Sequence, residues 1–390
     1  EKQKTTYYIS YILDGGINNS SNPSSYREGD KDIILKSPTK EGDLFDGWYL
    51  DPTFKIEVTQ IETDLCTNIT LYAKWCGLEN LNYFISDKNI DITGVKDSTK
   101  LIFLDLCNIR MYQVVSIGSE AFKDCLSLTS IAIPSSVTSI GNGAFKGCLS
   151  LESATLPFIG GTKDSNTFLG YIFGAPYDSY NNEDFVPSSL KEVIISEGCT
   201  SIDGFAFSNC SFLESVHIPS TLTSIERYAF EHCYSLTKVN IHDIASWCKI
   251  SFDHEQFGSF VCNPLFYAHN LYIDDILAEN LIIPEGVTSI GDCAFEGCYY
   301  AESIYIGRNV ESIGYCAFYY CQGLTSITIP DSVTSIGNYA FCDCSSLTSV
   351  TIPDSVTSIG HDAFHGTAYY NNSANWKKCV PFLDKRCWWS

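Results

Sequence analysis

Residues 324–344 read LTSITIPDSVTSIGNYAFCDC, and the rest of the chain keeps returning to that sentence. An Ile followed five residues later by the Phe of Ala-Phe recurs at Ile117/Phe122, Ile140/Phe145, Ile290/Phe295, Ile313/Phe318, Ile336/Phe341 and Ile359/Phe364, with neighbours in each run 23 residues apart. Two more copies, Ile202/Phe207 and Ile225/Phe230, keep the spacing but carry Asp203 and Glu226 where the others have glycine. A fixed period of about 20 to 50 residues marks a solenoid, each repeat being one coil stacked on the next.

The letters of one coil follow from what a coil must bury. Leu324, Ile327, Ile329, Val333, Ile336, Ala340, Phe341 and Cys344 are expected to point inward. Leu-x-x-Ile-x-Ile is the alternation of a strand with one buried face, and Pro330 ends it because proline cannot donate to a ladder. One parallel strand per coil, about 4.8 Å from the next, is the expected arrangement. Gly337 is expected at a bend, where glycine tolerates positive φ. Seven cysteines, Cys125, Cys148, Cys210, Cys233, Cys298, Cys321 and Cys344, share the column three after the Phe and read as a buried ladder of free thiols rather than disulfides. Cys293 and Cys316 form another column; Cys66 with Cys76, and Cys379 with Cys387, are the pairs that could close off-register loops.

The formal net charge of -22 argues against nucleic acid and anionic lipid as partners, since no basic patch is present to replace counterions. No run of 18 apolar residues is present, so membrane insertion is not expected. The polar opening, Glu1 to Lys4, does not read as a signal peptide.

The repeated pattern AF-x-x-C-x-S-L-x-S-I-x-I-P-x-S-V-x-S-I-G resembles the BspA-like subfamily of leucine-rich repeats over about residues 78–366. The resemblance implies a right-handed solenoid on a microbial surface protein linked to adhesion. Residues 7–75 lack the repeat; FDGWYLDPTF (Phe45 to Phe54) and LYAKW (Leu71 to Trp75) resemble the Listeria-Bacteroides repeat, a β-grasp-like module of surface proteins. Trp48 and Trp75 read as its core. The expected architecture is therefore mostly β: a β-grasp-like module over 1–76, a degenerate solenoid cap over 77–117, 23-residue leucine-rich-repeat coils over 118–366 and a terminal cap or tail over 367–390.

Two gaps interrupt the period, 62 residues from Ile140 to Ile202 and 65 from Ile225 to Ile290, each two coils plus 16 to 19 extra residues. Each is read as one enlarged coil, at 157–189 and 241–275, and both are rich in aromatics. Insertions on a repeat scaffold tend to become loops on one face, often the binding face, though aromatic residues there also serve to pin their own loops. The outward strand positions, among them Thr129, Ser130, Glu214, His217, Asn240, Ser303, Tyr305, Thr328 and Thr351, form a ladder of hydroxyls that suits either a glycan- or peptide-binding face or the ordinary β-propensity of threonine. Tyr171, Tyr177, Tyr180, Phe252, Phe257 and Tyr305 are the candidate ligand-binding residues.

Catalytic chemistry finds no foothold. His361 and His365 are four apart, a spacing that holds zinc on a helix, but they occupy repeat columns filled elsewhere by Asn338 and Cys342 and read as surface histidines. No CxxC pair of the zinc type, phosphate loop or nucleophile–base pairing is present, so no metal, cofactor or enzymatic activity is expected. The expectation is a secreted or surface-displayed adhesion scaffold for proteins or glycans of host or neighbouring cells; the alternative is a self-assembling component of a surface layer or fibre.

Overall fold

A computed structural model describes residues 4–41, 43–76, 78, 80–106, 112–162, 168–176, 182–253 and 263–371. The N-terminal module is a five-stranded sheet in the order Ser25–Arg27, Thr6–Ile12, Ile69–Cys76, Leu44–Tyr49, Glu57–Val58. Its central pair is parallel, Ile9 opposite Ile69, and the flanking pairs are antiparallel. Apolar alternation in YYISYIL and ITLYAKW turns one face inward, so Ile9, Ile69, Leu71 and Ala73 pack with Tyr26, Ile61 and Trp48 into a core of their own. Both tryptophans hold that core as expected: Trp48 is buried and Trp75 packs against it, and their indole N–H groups donate to the carbonyls of Lys36 and Leu13 at 3.1 and 2.9 Å.

The β-solenoid occupies the rest of the described chain. All eight positions expected inward in residues 324–344 are buried, none more than 3 % exposed. Each coil contributes more than the single strand expected. Beside the ladder through Ser303–Ile306, Ser326–Thr328 and Ser349–Thr351 runs a second parallel ladder of two-residue strands, Ser289–Ile290, Ser312–Ile313, Ser335–Ile336 and Ser358–Ile359. A third set of intercoil hydrogen bonds passes through the Ala-Phe corner, where the amides of Cys316, Phe318 and Tyr320 donate to the carbonyls of Asn338, Ala340 and Cys342 one coil on. Three ladders leave few backbone groups of a coil without a partner on the next, which a buried solenoid wall requires.

That third ladder corrects the reading of glycine. The left-handed residues lie two before and two after each Phe: Tyr339 (φ 57°) and Asp343 (φ 57°) around Phe341, Cys316 (φ 50°) and Tyr320 (φ 60°) around Phe318, and the same two columns in every other regular coil. Gly337 is not among them. Its role is close approach: a Cβ there would meet Gly314 C and O at 2.5 Å and Tyr315 N at 2.6 Å in the coil below. Gly337→Ala should therefore destabilise the protein by about 1–3 kcal/mol through backbone overpacking, whereas Gly286→Ala, with nothing within 4 Å of its Cβ, should stay within about 0.5 kcal/mol of the parent. Equal urea midpoints for the two variants would refute the assignment.

The Ala-Phe corners stack their rings. Phe295, Phe318, Phe341 and Phe364 lie 5.2–5.4 Å apart with planes within 12°. The cysteine column is buried and free, and its thiols back-bond one coil: Cys148, Cys233, Cys321 and Cys344 donate to the carbonyls of Phe122, Phe207, Phe295 and Phe318 at 3.0–3.2 Å. Cys293 and Cys316 are buried and free as well, and Cys66 is free; Cys379 and Cys387 lie outside the described residues.

At the start of the array, Leu81–Ser86 folds back antiparallel on Asn89–Val95, the first strand of its ladder, so a hairpin closes that edge. At the far end Tyr369 is buried with its ring edge toward Phe364, 6.1 Å away. Among the described residues no helix is long and apolar enough to cross a membrane.

Candidate functional site

The two insertions join the ladders differently. Ser153–Leu156 pairs directly with Glu192–Ile195, so everything between leaves and re-enters a single step of the ladder. In the second, Lys238–Ile241 pairs with Leu271–Ile273, which turns back as a hairpin onto Ile276–Leu277 before the regular coils resume at Asn280–Ile283.

A coil that follows an insertion lacks a regular neighbour to donate to its corner carbonyls. Side chains make up the missing donors, beside the Leu169 amide, which reaches the Ala206 carbonyl at 2.9 Å. Asn182, fully buried, donates from Nδ2 to the carbonyls of Phe205 (3.2 Å) and Ser208 (2.7 Å) and accepts the Gly170 amide on Oδ1 (2.6 Å). Asn263, also fully buried, donates to the carbonyls of Cys293 (2.5 Å) and Ala294 (3.2 Å) and accepts the Leu265 amide (2.8 Å). Trp247 adds its indole N–H to the Ala294 carbonyl at 2.6 Å. Sequence reading passed over both asparagines, yet each stands in Asn-x-x-Phe, Asn182 to Phe185 and Asn263 to Phe266. That shared spacing is the signal that could have found them.

The aromatic residues of the insertions mostly serve the same closure. Phe158, Phe168, Phe173 and Trp247 are buried, and so is Phe252, 3 % exposed with its ring edge against Trp247. Phe252 therefore belongs to the core rather than to a ligand-binding face. Tyr171 is half-buried against the core. Tyr177, Tyr180 and Phe257 lie outside the described residues.

The outward sheet faces divide into two kinds. In the first run a polar chain crosses four neighbouring segments: His217 Nε2 to Glu192 Oε1 at 3.0 Å, Asn240 Nδ2 to His217 Nδ1 at 3.1 Å, and Asn240 Nδ2 to Asp275 Oδ1 at 3.0 Å. The Asp275 amide donates to Asn240 Oδ1, which fixes the carboxamide so that its N–H faces the histidine. His217 Nδ1 is thus an acceptor and Nε2–H the donor to Glu192. Lys238 donates to Asp275 at 2.6 Å and holds that carboxyl below the usual range. Both ring nitrogens of His217 are engaged, so no lone pair is left for a general base. This chain ties the 271–277 hairpin onto the sheet.

Threonine hydroxyls beside the two ladders turn onto the backbone of the preceding coil. Thr129, Thr237 and Thr348 donate to the carbonyls of Ile102, Glu214 and Thr325, and Thr138, Thr223, Thr334 and Thr357 likewise bond carbonyls one coil back. Their repetition serves coil stacking.

The second run presents the other kind of face. On the sheet of Asn280–Ile283, Ser303–Ile306, Ser326–Thr328 and Ser349–Thr351, Ile282 is 61 % exposed and Tyr305, directly opposite it, 48 %. The Tyr305 hydroxyl donates to Glu285 at 3.0 Å, and Glu285 also accepts the Arg308 amide at 2.7 Å, so the ring is held standing on the sheet. Beside it lies an open groove of about 390 Å³ lined by Ser303, Tyr305, Arg308, Ser326, Thr328 and Pro330.

The profile of the BspA type Leucine rich repeat region matches in six copies over residues 103–171, 178–264 and 269–387, and that of the Listeria-Bacteroides repeat domain over 7–74. Solved structures similar to this chain include a leucine rich cell surface protein from Faecalibacterium prausnitzii A2-165 (22 % identity, 76 % of this chain and 95 % of that one, TM-score 0.31). A leucine-rich repeat protein from Bacteroides ovatus matches at 24 % identity over 74 % of this chain and 91 % of its own, TM-score 0.25. The pneumococcal vaccine antigen PcpA matches at 17 % identity over 72 % and 85 %, TM-score 0.23. No curated protein matches the sequence. The repeat profile spans well over half of the residues, and the chain belongs to the BspA-type leucine-rich repeat family, carrying a Listeria-Bacteroides repeat domain ahead of the solenoid.

Proposed function

We propose that this protein is a non-enzymatic adhesion scaffold displayed on, or secreted from, a microbial cell, which binds proteins or glycans of host or neighbouring cells. The observation that carries the reading is the groove beside Tyr305. An exposed aromatic ring next to exposed Ile282, flanked by the hydroxyl residues Ser303, Ser326 and Thr328 and by Arg308, offers both apolar area and hydrogen-bonding groups on a rigid sheet. Large exposed apolar groups rimmed by polar ones are the usual mark of an interaction site, and tyrosine is among the residues that carry most binding energy in interfaces. Membership of the family supports surface display, and the similar protein from Faecalibacterium prausnitzii is described as a cell surface protein.

The test is binding of the purified chain to a panel of mucin, matrix proteins and host glycans, with solution mass followed by light scattering. Tyr305→Ala should weaken binding by about tenfold or more, as a truncated interface tyrosine does, while Tyr300→Ala, an exposed tyrosine outside the groove, should bind like the parent. If nothing binds and mass instead grows with concentration, the adhesion reading gives way to a self-assembling surface component.

A further inference from the structure

We propose that the last two regular coils form a metal site for a single borderline-soft divalent cation of the zinc type, held by the Cys342 thiolate, an Asp343 carboxylate oxygen and His365 Nδ1. One ligand atom from each of the three lies within 4.8 Å of the other two, and Cys342 Sγ is 4.0 Å from His365 Nδ1. Tetrahedral zinc, with Zn–S near about 2.3 Å and Zn–N and Zn–O near about 2.0–2.2 Å, holds its ligand atoms closer together than the 4.0 Å between Cys342 Sγ and His365 Nδ1, so the side chains turn inward to close on it.

The register of the solenoid creates this cluster. Cys342 and His365 follow Phe341 and Phe364 immediately, so they occupy one column in adjacent coils, and the Asp343 amide donates to the His365 carbonyl at 2.8 Å. Asp343 sits in the left-handed conformation (φ 57°) that its column adopts in every regular coil. In the other coils this column holds Lys123, Lys146, Ser208, Glu231, Glu296 and Tyr319, and no other trio of cysteine, histidine or acidic side chains comes as close together among the described residues. His361 and His365, four apart in sequence, do not combine: His361 pairs with Asp362 at 3.0 Å. The pair that matters is separated by one coil, not by one helical turn.

Cys342 is buried, 5 % exposed, whereas His365 is exposed, so the site is reached from its histidine side. A mixed sulfur, nitrogen and oxygen set is the choice of zinc or cobalt over calcium or magnesium, and three protein ligands leave the fourth position to water. On binding, the cation displaces the thiol proton to solvent and the Cys342 sulfur forms the new bond, so affinity rises with pH.

The experiment is titration of the full chain, kept reduced, with Co²⁺ followed by absorption, and then displacement by Zn²⁺. The expected result is a near-ultraviolet thiolate-to-cobalt charge-transfer band saturating at one equivalent, bleached by Zn²⁺. Cys342→Ser should abolish the band. His365→Ala and Asp343→Asn, the latter keeping a residue that tolerates the left-handed backbone, should weaken Co²⁺ by at least roughly a hundredfold, since even loss of an outer partner of a ligand costs about 10- to 100-fold. His361→Ala should titrate like the parent. No charge-transfer band in the parent, or a band that survives Cys342→Ser, would overturn the proposal.

Discussion

Replacing Asn182 by alanine is expected to cost about 2–6 kcal/mol, because two buried backbone groups lose their partner at once and each costs about 1–3 kcal/mol when left unsatisfied. Those groups are the Ser208 carbonyl and the Gly170 amide, while the Phe205 carbonyl keeps the Ser208 amide at 3.0 Å. In a regular coil the corner carbonyls are served by amides of the preceding coil, as Ala340 and Cys342 are by Phe318 and Tyr320. The enlarged coil repeats that pattern only through the Leu169 amide, which serves the Ala206 carbonyl, and one carboxamide supplies the donor to Ser208. Asn182→Asp makes the argument sharper. It keeps the Oδ1 acceptor but removes the donors and buries a charge, so it should destabilise at least as much at neutral pH. Burial raises a carboxyl pKa, so this variant should recover stability as pH falls and the carboxyl regains a proton to donate. Urea unfolding of both variants, with hydrogen exchange at the amides around 205–208, checks the prediction; a cost of Asn182→Ala below about 1 kcal/mol would show that the latch is dispensable.

Asn182 also shows where the sequence stops being legible. The eight inward columns of the coil could be read directly because burial selects Leu, Ile, Val, Ala, Phe and Cys at a fixed spacing, and repetition multiplies that signal. The left-handed columns could not. Of the corners around Phe122, Phe207, Phe230, Phe318 and Phe341, none has glycine at either left-handed position, which carry Glu120, Asp124, Phe205, Asn209, Tyr228, His232, Cys316, Tyr320, Tyr339 and Asp343. Intercoil hydrogen bonds impose the conformation there, overriding local preference. Glycine was visible at position 337 but for a different reason, the approach of two backbones, which no single coil reveals.

The candidate surfaces divide along the same line. Aromatic richness of the insertions was plain in the sequence, but whether a ring faces in or out depends on how the loop closes on the core. Phe252 faces in, while Tyr305, on a strand whose alternation can be read, faces out. Interactions between residues one coil apart, such as Glu192 with His217 and Cys342 with His365, need the true register across an enlarged coil or a corner before they can be foreseen.

Phe318→Ala carries the other large expected effect, about 3–5 kcal/mol for emptying a fully buried phenylalanine site, with about 0.5–1.5 kcal/mol more for each aromatic neighbour it leaves. Phe318 is completely buried and stacks on Phe295 at 5.4 Å and Phe341 at 5.2 Å, planes within 7° and 12°. Phe364, by contrast, stacks on Phe341 alone, and its other neighbour, Tyr369, meets it edge-on. In a solenoid each coil is stabilised by the interfaces on both sides, so a defect in the interior weakens two interfaces while one at the end frays only the last. Phe364→Ala should therefore be the milder variant, and its extra hydrogen exchange should stay confined to the coils beyond Phe341. Phe318→Ala should open both directions, including Ser303–Ile306 and Ser326–Thr328, the strands that line the Tyr305 groove. Its ligand binding should fall together with its stability, whereas Tyr305→Ala should lose binding with the urea midpoint unchanged. Equal exchange profiles for Phe318→Ala and Phe364→Ala would mean that the coils unfold as one unit, and that the groove depends on the whole array rather than on its own two strands.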